Sequence, residues 1–307
     1  MRTESLQGIG VFVRVAETRS FTAAARKLGM STSGASKAIA RLEERLGVRL
    51  VQRTTRSVGL TEDGTAFYER CRQILSELEE AETAVTRSRA RPHGRLRLHM
   101  PVAFGELIIA PLMQQFADVH PELVLDIELS DRTPDLAEEG LDAAIRIGNL
   151  GDSRLVARRL CDLRFVTVAS PAYLKRHGTP KTPDELDQHR CLMFYVPHTH
   201  RYRGWNFASN GVAFTKTPPA TININNSYAL VQAAIAGAGI ANTSVYVAFD
   251  AVSRGLLKRL LREHEVPGPT VSLVYLERRH LSARVQALTD FLTRHIPALP
   301  VWDTLRN

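Results

Sequence analysis

The sequence predicts an α/β protein in two parts. The first is an all-α head carrying a winged helix-turn-helix with a long helix behind it; the second is a larger, two-lobed α/β half. Three observations carry this. Helical periodicity broken by a small-residue turn fills the first ninety residues, extended and helical stretches alternate after residue 94, and the positive charge sits at the front. At 307 residues the chain has room for two or three domains and a sizeable core. Its 44% hydrophobic and 23% charged residues leave no large disordered part.

The net charge is +8, and up to Leu60 eleven Lys and Arg stand against four acids, so seven of the eight excess charges lie in the head. A basic head is the electrostatic footprint of a polyanion partner. No uninterrupted run of eighteen apolar residues occurs, so no membrane association is expected. The first twenty residues carry Arg2, Glu4, Arg14, Glu17 and Arg19 and lack the apolar core of a secretion signal, which makes the cytoplasm the expected compartment. Cys71, Cys161 and Cys191 are odd in number and far apart, as in a reducing compartment without a disulfide framework. No motif calls for a cofactor.

Leu6, Ile9, Phe12, Val13 and Ala16 step along one face and predict a first helix over residues 5–17. Ser20 caps a second helix with Phe21, Ala24, Ala25 and Leu28 turned inward, and Gly29 supplies the tight turn. Ser31 then caps a third helix over residues 31–46, whose Ala35, Ile39, Leu42 and Leu46 share one buried face. Thr32, Ser33, Ser36 and Lys37 point elsewhere, with Arg41 a turn further on. Short hydrogen-bonding side chains and a cation at the start of such a helix suit base edges and phosphates. Residues 49–60 predict two short extended arms, with Arg53, Thr54 and Arg56 on the wing for phosphate or a minor groove.

Thr61, followed by Glu62 and Asp63, opens a long helix, since acids favour the positive end of the helix dipole. Along it Phe67, Cys71, Ile74, Leu78, Ala81 and Val85 are spaced as a heptad seam. A seam flanked by charges predicts pairing with a second copy; packing on its own domain is the alternative.

The ordered motifs SFTAAARKL, STSGASKAIARLEERLG, QRTTR and LTEDG resemble the DNA-binding domain of the LysR-type transcriptional regulators. The resemblance implies a winged helix-turn-helix, a dimerising linker helix, and an effector domain similar to periplasmic binding proteins. It also implies a DNA site with an imperfect dyad in a promoter. Gly34, Ala35 and Val51 depart from the family pattern, and a glycine within a helix costs roughly 1 kcal/mol relative to alanine, so a softer head is expected.

Residues 90–94 punctuate the chain with proline and glycine. Beyond them, strands are predicted at 95–100, 124–129, 143–147, 155–160 and 164–169, with a helix at 102–119 and a short one at 135–139. This alternation argues for a mainly parallel sheet covered on both faces. Pro171 and Pro183 each begin a helix of a second lobe, which continues through extended 191–195 and 205–207, a helix at 228–236 and a strand at 240–243. A strand at 271–276 and a helix at 281–295 close the first lobe. GRLRLHMPVAFG, DLAEEGLDAAIRIG, LVARRL, SPAYLKRHGTP and GAGIA resemble the effector domain of the same family. The expected domains are 1–60, a linker helix 61–90, and 91–307, with lobe I near 95–168 and 271–300 and lobe II near 169–270.

A cleft between lobes is the default small-ligand site, beyond the carboxyl ends of strands. That rule selects Val102, Ala103, Phe104, Ser130, Arg146, Tyr195, His198, Asn225, Asn226 and Ser227 as effector-binding candidates. The amides opening the helices after Val102 and Asn226 suit an anionic group, such as an organic acid. Arg146 either joins them or pairs with a surface carboxylate, and residues 223–226 either line the cleft or merely end a strand and cap a helix. His198 and His200 have ligand-like spacing but no third ligand nearby, so they read as a polar loop and not a metal site. Cys161 and Cys191 read as buried inert thiols, with a redox pair as the alternative.

The expected partners are double-stranded DNA, a small-molecule effector, and a second copy of the chain, as a homodimer or dimer of dimers. An enzyme is the rival from another class, but there is no nucleophile motif, defined pair of carboxylates or phosphate loop. A solute-binding protein would explain the two-lobed half but not the head.

Overall fold

A computed structural model describes residues 3–53, 58–85, 92–148, 150, 155–196, 201–277 and 281–299. The chain divides into two compact units: residues 1–90 with 137–140, and residues 91–136 with 141–307.

In the first unit, α1 (Thr3–Thr18), α2 (Phe21–Lys27) and α3 (Thr32–Leu46) precede a two-stranded wing and the long helix α4 (Glu62–Val85). Each start is chemically marked. The Ser20 hydroxyl accepts from the Ala23 amide at 3.2 Å, Ser31 from Gly34 at 3.1 Å, and Thr61 from Gly64 at 2.9 Å. Gly29 takes φ +64° between α2 and α3, as the turn there requires. Phe12, Val15, Ala24, Ala25, Ala35, Ile39 and Leu42 form the core where the three helices meet. Val11 and Val15 are buried beyond the face expected for α1, and α4 also packs on this helix, with the Phe12 and Phe67 rings 5.5 Å apart. Leu28 and Leu46, expected inward, are instead 38% and 39% exposed. Both stand at a helix end, past the last turn that has a neighbour to pack on.

The wing strands β1 (Val51–Arg53) and β2 (Val58–Leu60) pair antiparallel, with Val51 opposite Leu60. Thr61 links this hairpin to α4: its amide donates to the Leu50 carbonyl at 3.1 Å and its hydroxyl to that of Arg49 at 2.6 Å. Gly64 passes so close that a Cβ there would lie 1.9 Å from the Leu50 oxygen.

In the second unit, one path of strands runs β11-β7-β12-β6-β14-β5-β3-β4. β3 (Gly94–Met100) pairs in parallel with β4 (Leu123–Leu129) and β5 (Ala143–Ile147); β7 (Cys191–Val196) pairs in parallel with β11 (Ala220–Ile224) and β12 (Ile240–Ser244). Between these two groups run β6 (Leu155–Ala169) and β14 (Pro267–Leu276), antiparallel to each other. The sheet is therefore mixed where a mainly parallel one was expected. The two short strands expected at 155–160 and 164–169 are one strand: the front of β6 pairs with β14 and its far end with β12. That continuity makes β6 the shared element of the two lobes.

The stretch expected as one helix over 102–119 breaks into α5 (Val102–Phe104), a π turn, a 3-10 turn holding Pro111, and α6 (Met113–Val119). Proline removes an amide from the helical ladder, which accounts for the change of winding there. This stretch has the length and composition of a membrane span, with mean hydropathy 1.2 over 18 residues. Its Phe104, Ile108, Ile109, Leu112 and Phe116 pack instead into the core of the sheet. The short helix expected at 135–139 is a turn, closed by the Leu141 amide on the Leu136 carbonyl at 2.9 Å.

The second lobe adds α7 (Pro171–His177), a 3-10 turn at Pro183–Gln188, β8 (Arg201–Tyr202), the hairpin of β9 (Trp205–Ser209) with β10 (Val212–Lys216), α8 (Ser227–Ile235), α9 (Val245–Ser253) and β13 (Lys258–Leu260). Helix α10 (Ala283–His295) closes the unit, capped by Ser282. The hairpin turns on Asn210 and Gly211, both with positive φ. Asn-Gly between extended runs is the standard signal for that turn and was present in the sequence.

Candidate functional site

Two surfaces carry the chemistry. On α3, Ala35, Ile39 and Leu42 face the core, and this orients the opposite side outward. Thr32, Ser33, Lys37 and Arg41 are exposed there, and Ser36 is half-buried. Ser33, Lys37 and Arg41 recur every four residues and so share one face of the helix. The Ser31 and Ser33 hydroxyls lie 3.2 Å apart at its start. Glu43, which sequence reasoning left unassigned, accepts from the amides of Leu50 and Val51 at 2.7 and 2.9 Å. One carboxylate thereby fixes the first wing strand to the helix that would enter the groove. Arg53 ends β1, with its side chain outside the description, and Thr54 and Arg56 lie outside the described residues.

The heptad seam of α4 divides. Cys71 is 1% exposed and Phe67 packs beside it in the head's own core, so both leave the set expected to face a second copy. They are consumed because the first turns of α4 close the three-helix core. Burial pushes the Cys71 thiol up to about 11. Ile74 and Leu78, one and two turns further along, are 50% and 43% exposed. The side chains of Ala81 and Val85 lie outside the description.

In the second unit, a cleft of about 760 Å³ opens between the lobes, lined from both. Of the ten effector candidates, Ala103, Arg146 and Ser227 line it. Phe104 is fully buried beneath, edge-on to Tyr246 at 5.6 Å, and Tyr246 does reach the cleft. Tyr195 misses by one residue: side chains alternate along a strand, so Phe194 and Val196 face the cleft while Tyr195 meets Tyr202 on the other side. His198 lies outside the described residues.

The two helix starts expected to hold an anion are occupied by the chain's own side chains. The Val102 amide donates to Asp131 at 3.1 Å, and the Ala229 amide to the Asn226 side chain at 2.9 Å. Asn226 is thus a helix cap, and Asn225 is exposed at the strand end. Ser130 accepts from the Arg132 amide at 3.3 Å and does not line the cleft, whereas Asp131 and Arg132 do.

Arg146 donates from Nη2 to the Pro134 carbonyl at 2.8 Å, and no carboxylate among the described residues pairs with it. Opposite, in the second lobe, lies Arg203, which sequence reasoning missed. Its Nη2 donates to the Asn242 carbonyl at 3.0 Å, and its guanidinium carbon lies 4.5 and 4.7 Å from the ring centres of Phe165 and Phe194. Burial pulls it down to about 10, so it stays charged at neutral pH. Asn242 in turn donates to the Thr167 hydroxyl at 3.2 Å, which holds this corner of the cleft together. Burial also raises the Tyr246 phenol, leaving it neutral. Such a set of guanidiniums, an amide and hydroxyls above apolar walls is suited to holding an anion.

Family models match both parts of the chain. The LysR substrate binding domain covers residues 89–297, and the bacterial regulatory helix-turn-helix protein, lysR family, covers residues 6–65. This chain belongs to the LysR-type transcriptional regulators. An HTH-type transcriptional regulator of Xanthomonas campestris pv. campestris is 38% identical over 96% of this chain and 86% of its own length. An uncharacterized one from Haemophilus influenzae is 37% identical over 93% and 99%. Among solved structures, CrgA, a LysR-type transcriptional regulator from Neisseria meningitidis, superposes with TM-score 0.60 at 33% identity, covering 96% of this chain and 99% of that one. The LysR-type reading from sequence, with its helix-turn-helix and two-lobed α/β effector domain, therefore holds. Members of the family bind DNA through the helix-turn-helix, respond to small-molecule effectors and form oligomers.

The cysteines complete the survey. Cys161, on β6, packs against the sheet core, and Cys191 lies in a separate cluster of the second lobe. Burial pushes both thiols up to about 12, which leaves little thiolate near neutral pH.

Proposed function

We propose that this LysR-type regulator binds a promoter dyad as a homodimer or dimer of dimers. In this reading Thr32, Ser33, Ser36, Lys37 and Arg41 meet base edges and phosphates, and the wing residues Arg53, Thr54 and Arg56 meet the backbone or a minor groove. The observation that supports it best is the exposed face of α3 opposite a fully packed one, within a head holding most of the chain's excess positive charge. Ile74 and Leu78, exposed on α4, supply the pairing seam, with Ala81 and Val85 continuing it by spacing. The domains run 1–60, 61–90 and 91–307, and the protein works in the cytoplasm, where the chromosome is.

The effector is an organic acid held in the cleft between the lobes, where Ala103, Arg146 and Ser227 are joined by Arg203, Asn242 and Tyr246. The cleft binds and does not catalyse: what it presents are anion-holding groups. Effector binding changes lobe closure, and with it the spacing of the paired heads. Two recognition helices related by a two-fold axis require half-sites about one helical turn apart. Retardation of a fragment from upstream of its own gene, weakening steeply as salt rises, is the expected result. Purified protein without such salt-dependent retardation would refute the DNA reading.

A further inference from the structure

Among the described residues of the second unit, the buried and half-buried Lys and Arg side chains are neutralised by carboxylates, with two exceptions. Arg259 is held by both oxygens of Glu265, Arg284 faces Asp142 at 3.8 Å, and Lys216 lies 2.8 Å from Asp187 and 3.7 Å from Asp184. Arg203 and Arg146 have no such partner among the described residues, and both line the cleft. Each also has its Nε buried without a hydrogen-bond acceptor. An uncompensated cation out of water is costly, and an anion arriving beside it removes that cost.

Resting on the reading of the cleft as the effector site, we infer that Arg203 anchors the carboxylate of a monoanionic effector with an apolar body. Three features select that class. Among the described residues the charged groups of the cleft are Asp131, Arg132, Arg146 and Arg203; Arg132 is taken by Glu128 at 2.7 Å and Asp131 offsets one arginine, so a single positive charge is left over among them. One negative charge matches it, and a doubly charged phosphate or dicarboxylate exceeds it. The bond to Asn242 and the Phe165 and Phe194 rings hold the guanidinium plane, and a planar guanidinium held in this way matches the shape of a carboxylate. Apolar side chains also line the cleft: Ile145, Ile147, Leu163, Phe165 and Phe194. Phe165 also sits on β6, the strand paired into both lobes, so occupancy at Arg203 acts directly on the element that joins them.

The test uses the full chain, with thermal shift and calorimetry against benzoate and hexanoate, their amides, and phthalate. At least one monoacid is expected to bind and raise the melting temperature, while the amides and phthalate bind distinctly more weakly. Arg203→Met is expected to lose about thirtyfold or more in affinity for that acid, with Arg146→Met losing less. Its unliganded melting temperature should stay within about 3 °C of the parent, which a purely structural arginine would not allow. If Arg203→Met does not fold, Arg203→Lys decides, because it keeps the charge and loses the fork: undiminished affinity overturns the assignment. Equal binding of acid and amide, preference for phthalate, or no response to either monoacid overturns it too. Promoter retardation on the same preparation separates the two levels: retained DNA binding with failed acids sinks only the Arg203 assignment, and lost DNA binding sinks the regulator reading itself.

Discussion

The head and the effector domain handle positive charge in opposite ways. On α3 the cations Lys37 and Arg41 are exposed, within one short stretch of chain, and held outward by the packing of the residues between them. In the effector domain the half-buried arginines without a carboxylate among the described residues, Arg146 and Arg203, line a cleft, 57 positions apart in sequence and supplied by the two lobes. The first arrangement attracts a polymer over a distance; the second stays unsatisfied until a small anion enters. The contrast is between a site made by helical periodicity and a site made by topology.

If the two are separately built, the head should be destroyable without touching the cleft. Gly64→Ala places a Cβ 1.9 Å from the Leu50 carbonyl, a backbone atom held by the Thr61 amide, so the wing and α4 cannot both keep their places. A loss of about 3 kcal/mol or more in the stability of the head is expected, with operator binding abolished. The thermal shift by a bound monoacid should persist. Loss of that shift together with DNA binding would show that the units fold as one.

A smaller break leaves both units folded and removes the second copy. Ile74→Glu with Leu78→Glu puts two charges on the exposed part of the α4 seam, opposite their own symmetry mates in a dimer. Sedimentation should give monomers, and operator affinity should fall about a hundredfold or more as the gain from joined half-sites is lost. Unchanged sedimentation would remove the seam from the dimer.

The same contrast explains what could be foreseen from sequence. Caps at Ser20, Ser31 and Thr61 and the apolar spacing of α3 are local chemistry, so the head was legible nearly element by element. Where it misled, at Leu28, Leu46, Phe67 and Cys71, the period was right and the neighbour was not: periodicity gives a face but not what covers it. In the cleft, strand ends were located, yet Tyr195 was chosen in place of Phe194 and Val196, because one step along a strand reverses the side chain. Arg203 had no local signal at all. It stands between two short strands, and only the approach of Phe165, Phe194 and Asn242 from three other elements singles it out. The two-lobed outline was legible, but the single strand β6 running through both lobes was not, since its two halves pack in different surroundings.

Lys37→Ala tests the exposed charge alone. Lys37 has no packing role, so the dimer and both melting transitions should be unchanged. Operator affinity should drop about tenfold, and the slope of log affinity against log salt should shrink by about 1, as for one lost phosphate contact. Undiminished affinity would count against α3 as the reading helix.

The smallest effect expected is at Gly34, the residue that departs from the family pattern in the most recognisable stretch of the chain. It occupies the third position of α3, and its amide donates to the Ser31 hydroxyl that caps the helix. A Cβ there would sit 3.0 Å from that hydroxyl and 3.5 Å from the Met30 methyl group. The first contact is tight, but Ser31 is exposed, and a shift of a few tenths of an ångström relieves it without losing the cap. Against it stands the helical preference of alanine over glycine, about 1 kcal/mol in a helix interior and less in the first turn. The balance favours Gly34→Ala by about 0.5 kcal/mol, read as a rise of a degree or two in the head's melting transition. Stabilisation accompanied by tighter operator binding would identify Gly34 as a softening of the reading helix; a lowered melting temperature would mean that the Ser31 cap outweighs it.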